Sequence, residues 1–290
     1  MDIQPVVIEW YRDTGRDLPW RREGFSAWGT LVSEFMLQQT PVARVLPKLD
    51  EWLTRWPTPA DLAAASPADA VRTWDRLGYP RRALALHACA VAITEQHGGV
   101  VPRDVDALLA LPGIGDYTAR AIAVFAYRDR HPVVDTNTRR VIARAVSGDG
   151  EPPAPSKRDL LAMSALLPND LEEAHDFNAG MMELGALVCV ARSPRCGECP
   201  LLGMCAWQRA GYPPSLGPAR RTQAKYEGSD RQVRGLIMAK LRAARHPVDR
   251  ELLAELWPDV EQFDRSLAGL LADGLAVQSE AGLQLPGIPV

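Results

Sequence analysis

The sequence predicts a mainly α protein of helical lobes, closed by a small helix-and-hairpin module. Three observations carry this prediction. Apolar residues recur at helical spacing in almost every segment, beginning with Ile3, Val6, Val7, Trp10 and Tyr11. Prolines and cap residues cut the pattern into helix-sized pieces. Alternation of the strand kind is found at Leu275–Val277 and Leu283–Leu285, around Glu280-Ala-Gly282, as in a small hairpin.

In chain order, residues 2–13 read as a helix and Asp17–Phe25 as an irregular loop. Trp28–Gln39 is a helix stopped by Thr40-Pro41, because the residue before proline avoids helical dihedrals. Val42–Trp56 restarts it. Thr58-Pro-Ala-Asp61 and Ser66-Pro-Ala-Asp69 each pair a cap, a first-turn proline and an acid, so both are helix starts. Arg81–His97 is a helix ended by Gly98-Gly99. Val105–Arg140 reads as two helices joined by Leu111-Pro-Gly-Ile-Gly115, followed by a third helix opening at Asp135. Residues 148–157 are a connector, and helices follow at 158–166 and 170–187. Residues 206–228 read as linker. Ser229 and Gln232 have capping-box spacing for a helix to Arg245, with shorter helices at 248–257 and 260–273. Three helices and a hairpin predict a winged-helix-like module over 229–290.

A chain of 290 residues with 47% hydrophobic content is globular and suits about two or three domains. Its net charge of −3 is no prior for a polyanion partner, so any nucleic-acid surface must be local. Arg120, Arg128, Arg130, Arg139, Arg140 and Arg144 form one candidate patch, for which a solvated helix face serves equally well. No apolar run reaches membrane-spanning length, and the N-terminus lacks the pattern of a secretory signal, so a cytoplasmic protein is expected. Four of five cysteines crowd into Cys189–Cys205, which in a reducing compartment favours metal ligation over disulfides.

Cys189-x6-Cys196-x2-Cys199-x5-Cys205 can wrap one four-coordinate centre, either zinc or iron–sulfur. Cys89, in an apolar helical run, reads as a buried spectator thiol. Gly113 and Gly115 permit positive φ and let backbone N–H groups face a phosphate unobstructed. Two glycines alone would fit an ordinary helix–helix turn. The following Thr-Ala-Arg-Ala and the later Asp135 favour a DNA-binding helix-hairpin-helix. Asp135 itself sits where a helix cap belongs. Glu34 lies among Leu31, Val32, Phe35, Met36 and Leu37, either at a polar edge or buried, and burial would raise its pKa.

As a set, WRREGFSAWGTLVSEFMLQQTPV, WDRLGYPRRALALH, LPGIGDYTARA, VVDTNTRRV, MMELGALVC and the four-cysteine loop resemble one family over about residues 8–225. It is the MutY-type A/G-specific adenine DNA glycosylases of the helix-hairpin-helix superfamily, in an actinobacterial-like form with a short tail. The resemblance implies a two-lobed fold. One lobe would be six-helix, 24–134, with the hairpin at about 105–127. The other would join 1–23 and 135–210 with an iron–sulfur loop at 189–205, followed by a linker at 211–228 and the 229–290 module. The cysteine spacing matches the family's [4Fe-4S] loop, whose Arg192 and Arg195 would lie beside phosphate.

The resemblance also implies roles. A monofunctional glycosylase would flip adenine, mispaired with 8-oxoguanine or guanine, out of double-stranded DNA and hydrolyse its N-glycosidic bond. Glu34 matches the acid that protonates adenine, and Asp135 the carboxylate that stabilises the sugar cation or captures it covalently. Tyr117 and Asn137 match supporting groups. Arg16, Leu18, Trp20 and Glu183 match the adenine pocket. Gln39 and Tyr79 match the wedge that fills the vacated stack, with Thr40 and Leu77 near the opposite purine. The carbonyls of Leu111 and Ile114 are candidate donors to a cation. A monomer without membrane association, in the bacterial nucleoid, is expected. Read from residues alone, Trp20 and Tyr79 would be core aromatics, Gln39 a helix end, and Met181 and Met182 core packing.

The sequence departs from the pattern in four places. Pro80 replaces a second tyrosine, Thr136 replaces a glycine, and the loop before Trp28 is one residue longer. The 62 residues from 229 leave no room for the family's Nudix-like reader of 8-oxoguanine. Thymine-mismatch and endonuclease III-like glycosylases, or a non-catalytic iron–sulfur DNA-binding protein, are the alternative readings.

Overall fold

Caps decide where the helices of this chain begin. The Thr58 hydroxyl accepts from the Asp61 N–H, and the Asp61 carboxylate accepts from the Thr58 N–H in return. Ser66 accepts from the Asp69 N–H at 3.1 Å. Asp170 accepts from both Glu172 and Glu173. Each such cap satisfies an N–H that the helix cannot, worth about 1 kcal/mol. The computed structural model describes residues 2–214 and 225–287, so part of the expected linker lies outside the described residues.

The helices are α1 (Gln4–Thr14), α2 (Ala27–Leu37), α3 (Val42–Arg55), α4 (Pro59–Ala63), α5 (Pro67–Trp74), α6 (Arg81–Gln96), α7 (Val105–Leu109) and α8 (Asp116–Tyr127). They continue as α9 (Thr136–Ile142), α10 (Lys157–Leu166), α11 (Leu171–Leu187), α12 (Ala206–Arg209), α13 (Asp230–Ala243), α14 (Arg250–Ala254) and α15 (Val260–Ala272). Strands β1 (Val277–Ser279) and β2 (Gly282–Gln284) close the described chain. No described helix is long and apolar enough to cross a membrane.

The chain divides into two compact units. One comprises 1–30, 103–109 and 114–220. Its core gathers Val7 and Ile8 of α1, Val141 and Ile142 of α9, Met163 of α10 and Phe177, Met181 and Leu184 of α11. A Cβ on Gly185 would lie 2.8 Å from the Asn137 carbonyl oxygen, so only glycine lets α9 approach α11 this closely. In the same unit α7 packs on α8, and Tyr117 and Met182 flank a small core of Ala121, Val124 and Val133.

The other unit comprises 31–102, 110–113 and 221–290. Trp52 packs edge-to-face on Trp56 and Trp74, with centroids 4.7 and 5.6 Å apart. Cys89 is buried there, and burial alone pushes its thiol up to about 12, as suits a spectator. The tail follows the expected order. Val277 pairs with Gln284, and Val248 exchanges two backbone hydrogen bonds with Leu283 beside them.

Several expectations are corrected. The capping box at Ser229 does not form, because the Ser229 hydroxyl donates backward to the Tyr226 carbonyl and Gln232 accepts from the Gly228 N–H. α2 ends at Leu37, two residues early, because Arg82 takes the Phe35 and Met36 carbonyls and Gln39 turns to φ 56°. Gly113 has φ 77°, but Gly115 is extended at φ −102°, so positive φ is needed only at Gly113. Thr136 occupies the first turn of α9, where ordinary helical dihedrals suffice and no glycine is required.

Gly113→Ala is therefore expected to cost about 3 kcal/mol, from a left-handed alanine whose Cβ would lie 2.8 Å from Ala85 and 2.9 Å from Phe35. Gly115→Ala, with open space around it, should cost about 1 kcal/mol or less. Urea unfolding of the two variants measures the difference, and equal losses would refute this assignment.

Candidate active site and cysteine loop

Asp135 is built by the start of α9. It is the N-cap: its Oδ1 accepts from the Thr138 N–H at 2.7 Å, and its Oδ2 accepts from the Asn137 amide at 2.8 Å. The carboxylate is thus held from two sides by its own helix. The Asn137 oxygen accepts in turn from Arg140 Nη2 at 2.7 Å. Arg140 also donates to the carbonyls of Gly185 and Cys189, each at 2.6 Å. One continuous network joins Asp135 to the first residue of the cysteine loop.

Glu183, on α11, is 1% exposed and holds the loop before α2. Its Oε1 accepts from the Arg16 backbone N–H and Nε, and its Oε2 from Arg16 Nη2 and Arg21 Nη2. Burial pushes this carboxyl up, but the hydrogen bonds from Arg16 and Arg21 outweigh it and hold the group at about 2. Leu18 is buried and Trp20 half-buried within the short turn that these bonds fix. Arg21 was not among the residues singled out from the sequence. Its spacing from Glu183 is visible only in the fold.

The other unit carries Glu34, Gln39, Thr40, Leu77 and Tyr79. Glu34 is 6% exposed, which decides for burial over a polar edge. Thr40 and Leu77 are brought together, the Thr40 hydroxyl donating to the Leu77 carbonyl at 3.4 Å. Tyr79 is 52% exposed at φ 48°, and Gln39 is exposed at φ 56°. Neither is a core residue. Arg82 lies beneath the Tyr79 ring, 5.5 Å from its centroid, and donates to the Phe35, Met36 and Gly78 carbonyls. Burial pulls this guanidinium down to about 10. Sequence reading missed Arg82, which along the chain is only the second of two arginines at the start of α6.

The expected arginine patch is mostly structural. Arg120 pairs with Asp116, Arg128 with Glu172 and Arg139 with Asp159. Arg130 donates to the Leu167 and Pro168 carbonyls. Arg140 and Arg144 are each 4% exposed. They are neither a solvated face nor a free phosphate surface.

Cys189, Cys196, Cys199 and Cys205 line one cavity with Val188, Pro194, Leu202 and Trp207. Arg144 donates to the Cys189 sulfur at 3.5 Å and to the Val190 carbonyl, and packs over Trp207. Burial raises the Cys189 thiol against the opposing pull of Arg144, and raises Cys199 to about 11. Thiols raised in this way, at Cys189 and Cys199, call for a cationic centre to draw off their protons, and an arginine N–H on sulfur is what a cluster-bound thiolate accepts. The donor set fits an iron–sulfur cluster. Arg192 is exposed, and Arg195 pairs with Glu198 at 3.6 Å.

Residues 32–164 match the model of the HhH-GPD superfamily base excision DNA repair proteins, and residues 189–205 match the iron–sulfur binding domain of endonuclease III. Fold and site thus define a helix-hairpin-helix base-excision DNA glycosylase with a [4Fe-4S] loop. The chain is 56% identical over 284 residues to the adenine DNA glycosylases of Mycobacterium tuberculosis and Mycolicibacterium smegmatis. These alignments cover 97% of this chain and 92% and 95% of those proteins. A solved thermostable thymine-DNA glycosylase superposes with a TM-score of 0.66 at 26% identity, over 72% of this chain and 95% of that one. The chain belongs to the adenine DNA glycosylase family. It acts on DNA and removes adenine in base excision repair.

The low pKa of Glu183 fixes a sign. Its contribution to stability is complete above the ordinary value of 4.5 and is lost as pH falls toward about 2. Wild type should lose stability across that window more steeply than Glu183→Gln, as measured by thermal unfolding from pH 5 to pH 2. Parallel profiles would show that the Arg16–Glu183–Arg21 cluster adds nothing.

Proposed function

We propose that the enzyme removes adenine standing opposite 8-oxoguanine or guanine, as a monofunctional glycosylase. Adenine leaves poorly as an anion. Glu34 protonates N7, and the C1′–N9 bond breaks with its electron pair going to the purine. Asp135 faces the positive charge that develops on the sugar, and water adds at C1′, giving its proton to the Glu34 carboxylate left by the protonation of N7. The observation that carries this is Asp135 itself, a carboxylate fixed by two hydrogen bonds from its own helix. Family membership and the burial of Glu34 support the partner role.

The remaining residues follow from their surroundings. Asn137 orients Asp135, and Tyr117, packed on Ala121, Val124 and Val133 of the same unit, supplies the supporting hydroxyl. Glu183, with both oxygens engaged by arginines, shapes the base pocket through Arg16, Leu18 and Trp20 rather than by meeting adenine directly. Gln39 and Tyr79 fill the vacated stack above Thr40 and Leu77. Gly113 and Gly115 present hairpin N–H groups to a phosphate, with a cation on the Leu111 and Ile114 carbonyls. Cys189, Cys196, Cys199 and Cys205 hold the cluster, which when bound ties four points of the loop together.

An endonuclease III-like lyase needs an amine nucleophile for its Schiff base, and the position that would supply it is Tyr117. Borohydride should therefore trap no covalent complex, and efficient trapping would overturn the monofunctional assignment. Single-turnover assays on A:8-oxoguanine, A:G and T:G duplexes should show release from the first two only. Release of thymine would place the enzyme with the thymine glycosylases instead. Glu34→Gln is expected to lower the rate by more than about 100-fold while leaving DNA affinity within a few-fold. Turnover near wild type would remove Glu34 from the mechanism.

A further inference from the structure

The role of 229–290 is unassigned by anything above. The module is acidic, with nine carboxylates against seven basic side chains, so it is poorly suited to be a second general DNA-binding surface. Its basic residues are largely committed. Arg234 pairs with Asp273, Arg250 with Asp264 and Arg265 with Asp230.

What the module does touch is the segment that carries Leu77 and Tyr79. Arg242 of α13 reaches Asp75, at 3.8 Å. The Ala244 carbonyl, just past the end of α13, accepts from Arg72 at 3.2 Å. Asp273, after α15, pairs with Arg81 at 3.2 Å. Gly287 packs so closely on Pro67, at the start of α5, that a Cβ there would lie 2.5 Å from the proline ring. The grips fall on both flanks of Asp75–Tyr79.

That segment needs holding. Asp75 and Tyr79 both take positive φ, at 47° and 48°, although neither is glycine. Such conformations persist only where surrounding structure determines them. The segment's carbonyls are already held from the body of the unit. Arg44 takes that of Arg76, Thr40 that of Leu77, and Trp74 and Arg82 that of Gly78. The side chains of its flanks, Arg72, Asp75 and Arg81, are held by the tail.

We propose that the C-terminal module is a clamp that sets the position of the Leu77–Tyr79 segment, which carries the tyrosine of the wedge, and through it the enzyme's discrimination at the base opposite adenine. Arg242 and Asp273 are its positioning residues. This rests on the wedge assignment for Tyr79 made above. The module acts through the wedge and touches neither the departing base nor the sugar.

The test is a double-mutant cycle in the full-length holoenzyme. Arg242→Ala and Asp273→Ala are each combined with Tyr79→Ala and assayed in single turnover on A:8-oxoguanine and A:G duplexes. A 2-aminopurine placed beside the mispair reports unstacking by its fluorescence. In the wild-type background each clamp variant should lower mispair unstacking and base release on the order of 10-fold, because a misplacement of even 1 Å is costly. In the Tyr79→Ala background the same substitutions should change little, and Arg242→Lys should restore most of the signal. Thermal unfolding and the iron–sulfur absorbance confirm that each variant is folded. Clamp substitutions that are silent, or that act at full size without Tyr79, would overturn the clamp. Unchanged base release and unstacking in Tyr79→Ala alone would instead overturn the wedge assignment.

Discussion

Buried guanidinium groups on backbone carbonyls are the interaction on which the rest of this structure depends. A helix leaves its last carbonyls without partners, and so does each irregular loop. Arg82 collects the Phe35, Met36 and Gly78 carbonyls, Arg140 those of Gly185 and Cys189, and Arg144 those of Gly150, Val190 and Ala191. A guanidinium suits this because its planar fork offers several donors in fixed directions. The cost is a desolvated cation, visible in Arg82 and Arg140, whose pKa values burial pulls down. Each arginine therefore holds several carbonyls of a loop end at once.

These three points coincide with the functional segments. Arg82 fastens the end of the helix bearing Glu34 to the turn bearing Tyr79. Arg140 lies between Asn137 and the cysteine loop, so the support of Asp135 and the backbone at Cys189 share one donor. Arg144 lies against the Cys189 sulfur and Trp207. In the proposed role of Asp135, facing a developing cation, a carboxylate gains from such rigidity, since it reorganises little during reaction. The Arg16–Glu183–Arg21 cluster does the same for the pocket loop by ion pairing.

Much of the architecture was legible in the sequence. Thr58, Ser66 and Asp135 were read as caps and are caps, because a cap depends on residues three apart and on little else. The tail's helices and hairpin were read in the correct order. Errors arose where another partner, near or distant, competed or where the backbone took a path that spacing does not show. Ser229 had the spacing of a capping box, yet its hydroxyl turned to Tyr226. Gln39 had the pattern of a helix end, but Arg82, more than forty residues on, ended the helix earlier. Gly115 looked like Gly113, and only the backbone path separated them.

The sequence by itself determined the residue types that the proposed chemistry uses: a carboxylate at a cap, another in an apolar helix, four cysteines in one loop and a tyrosine where a lyase would need lysine. These are local patterns, set by near neighbours and by reactivity. Tertiary structure alone decided that Glu34 is buried and that Glu183 faces two arginines rather than solvent. It also turned Arg130, Arg139, Arg140 and Arg144 from a surface into scaffolding, and placed the C-terminal module on the flanks of Leu77–Tyr79. The physical reason is common to all four. Burial and ion pairing depend on which distant side chains the folded chain brings within a few ångströms, and spacing along the sequence carries no such distance.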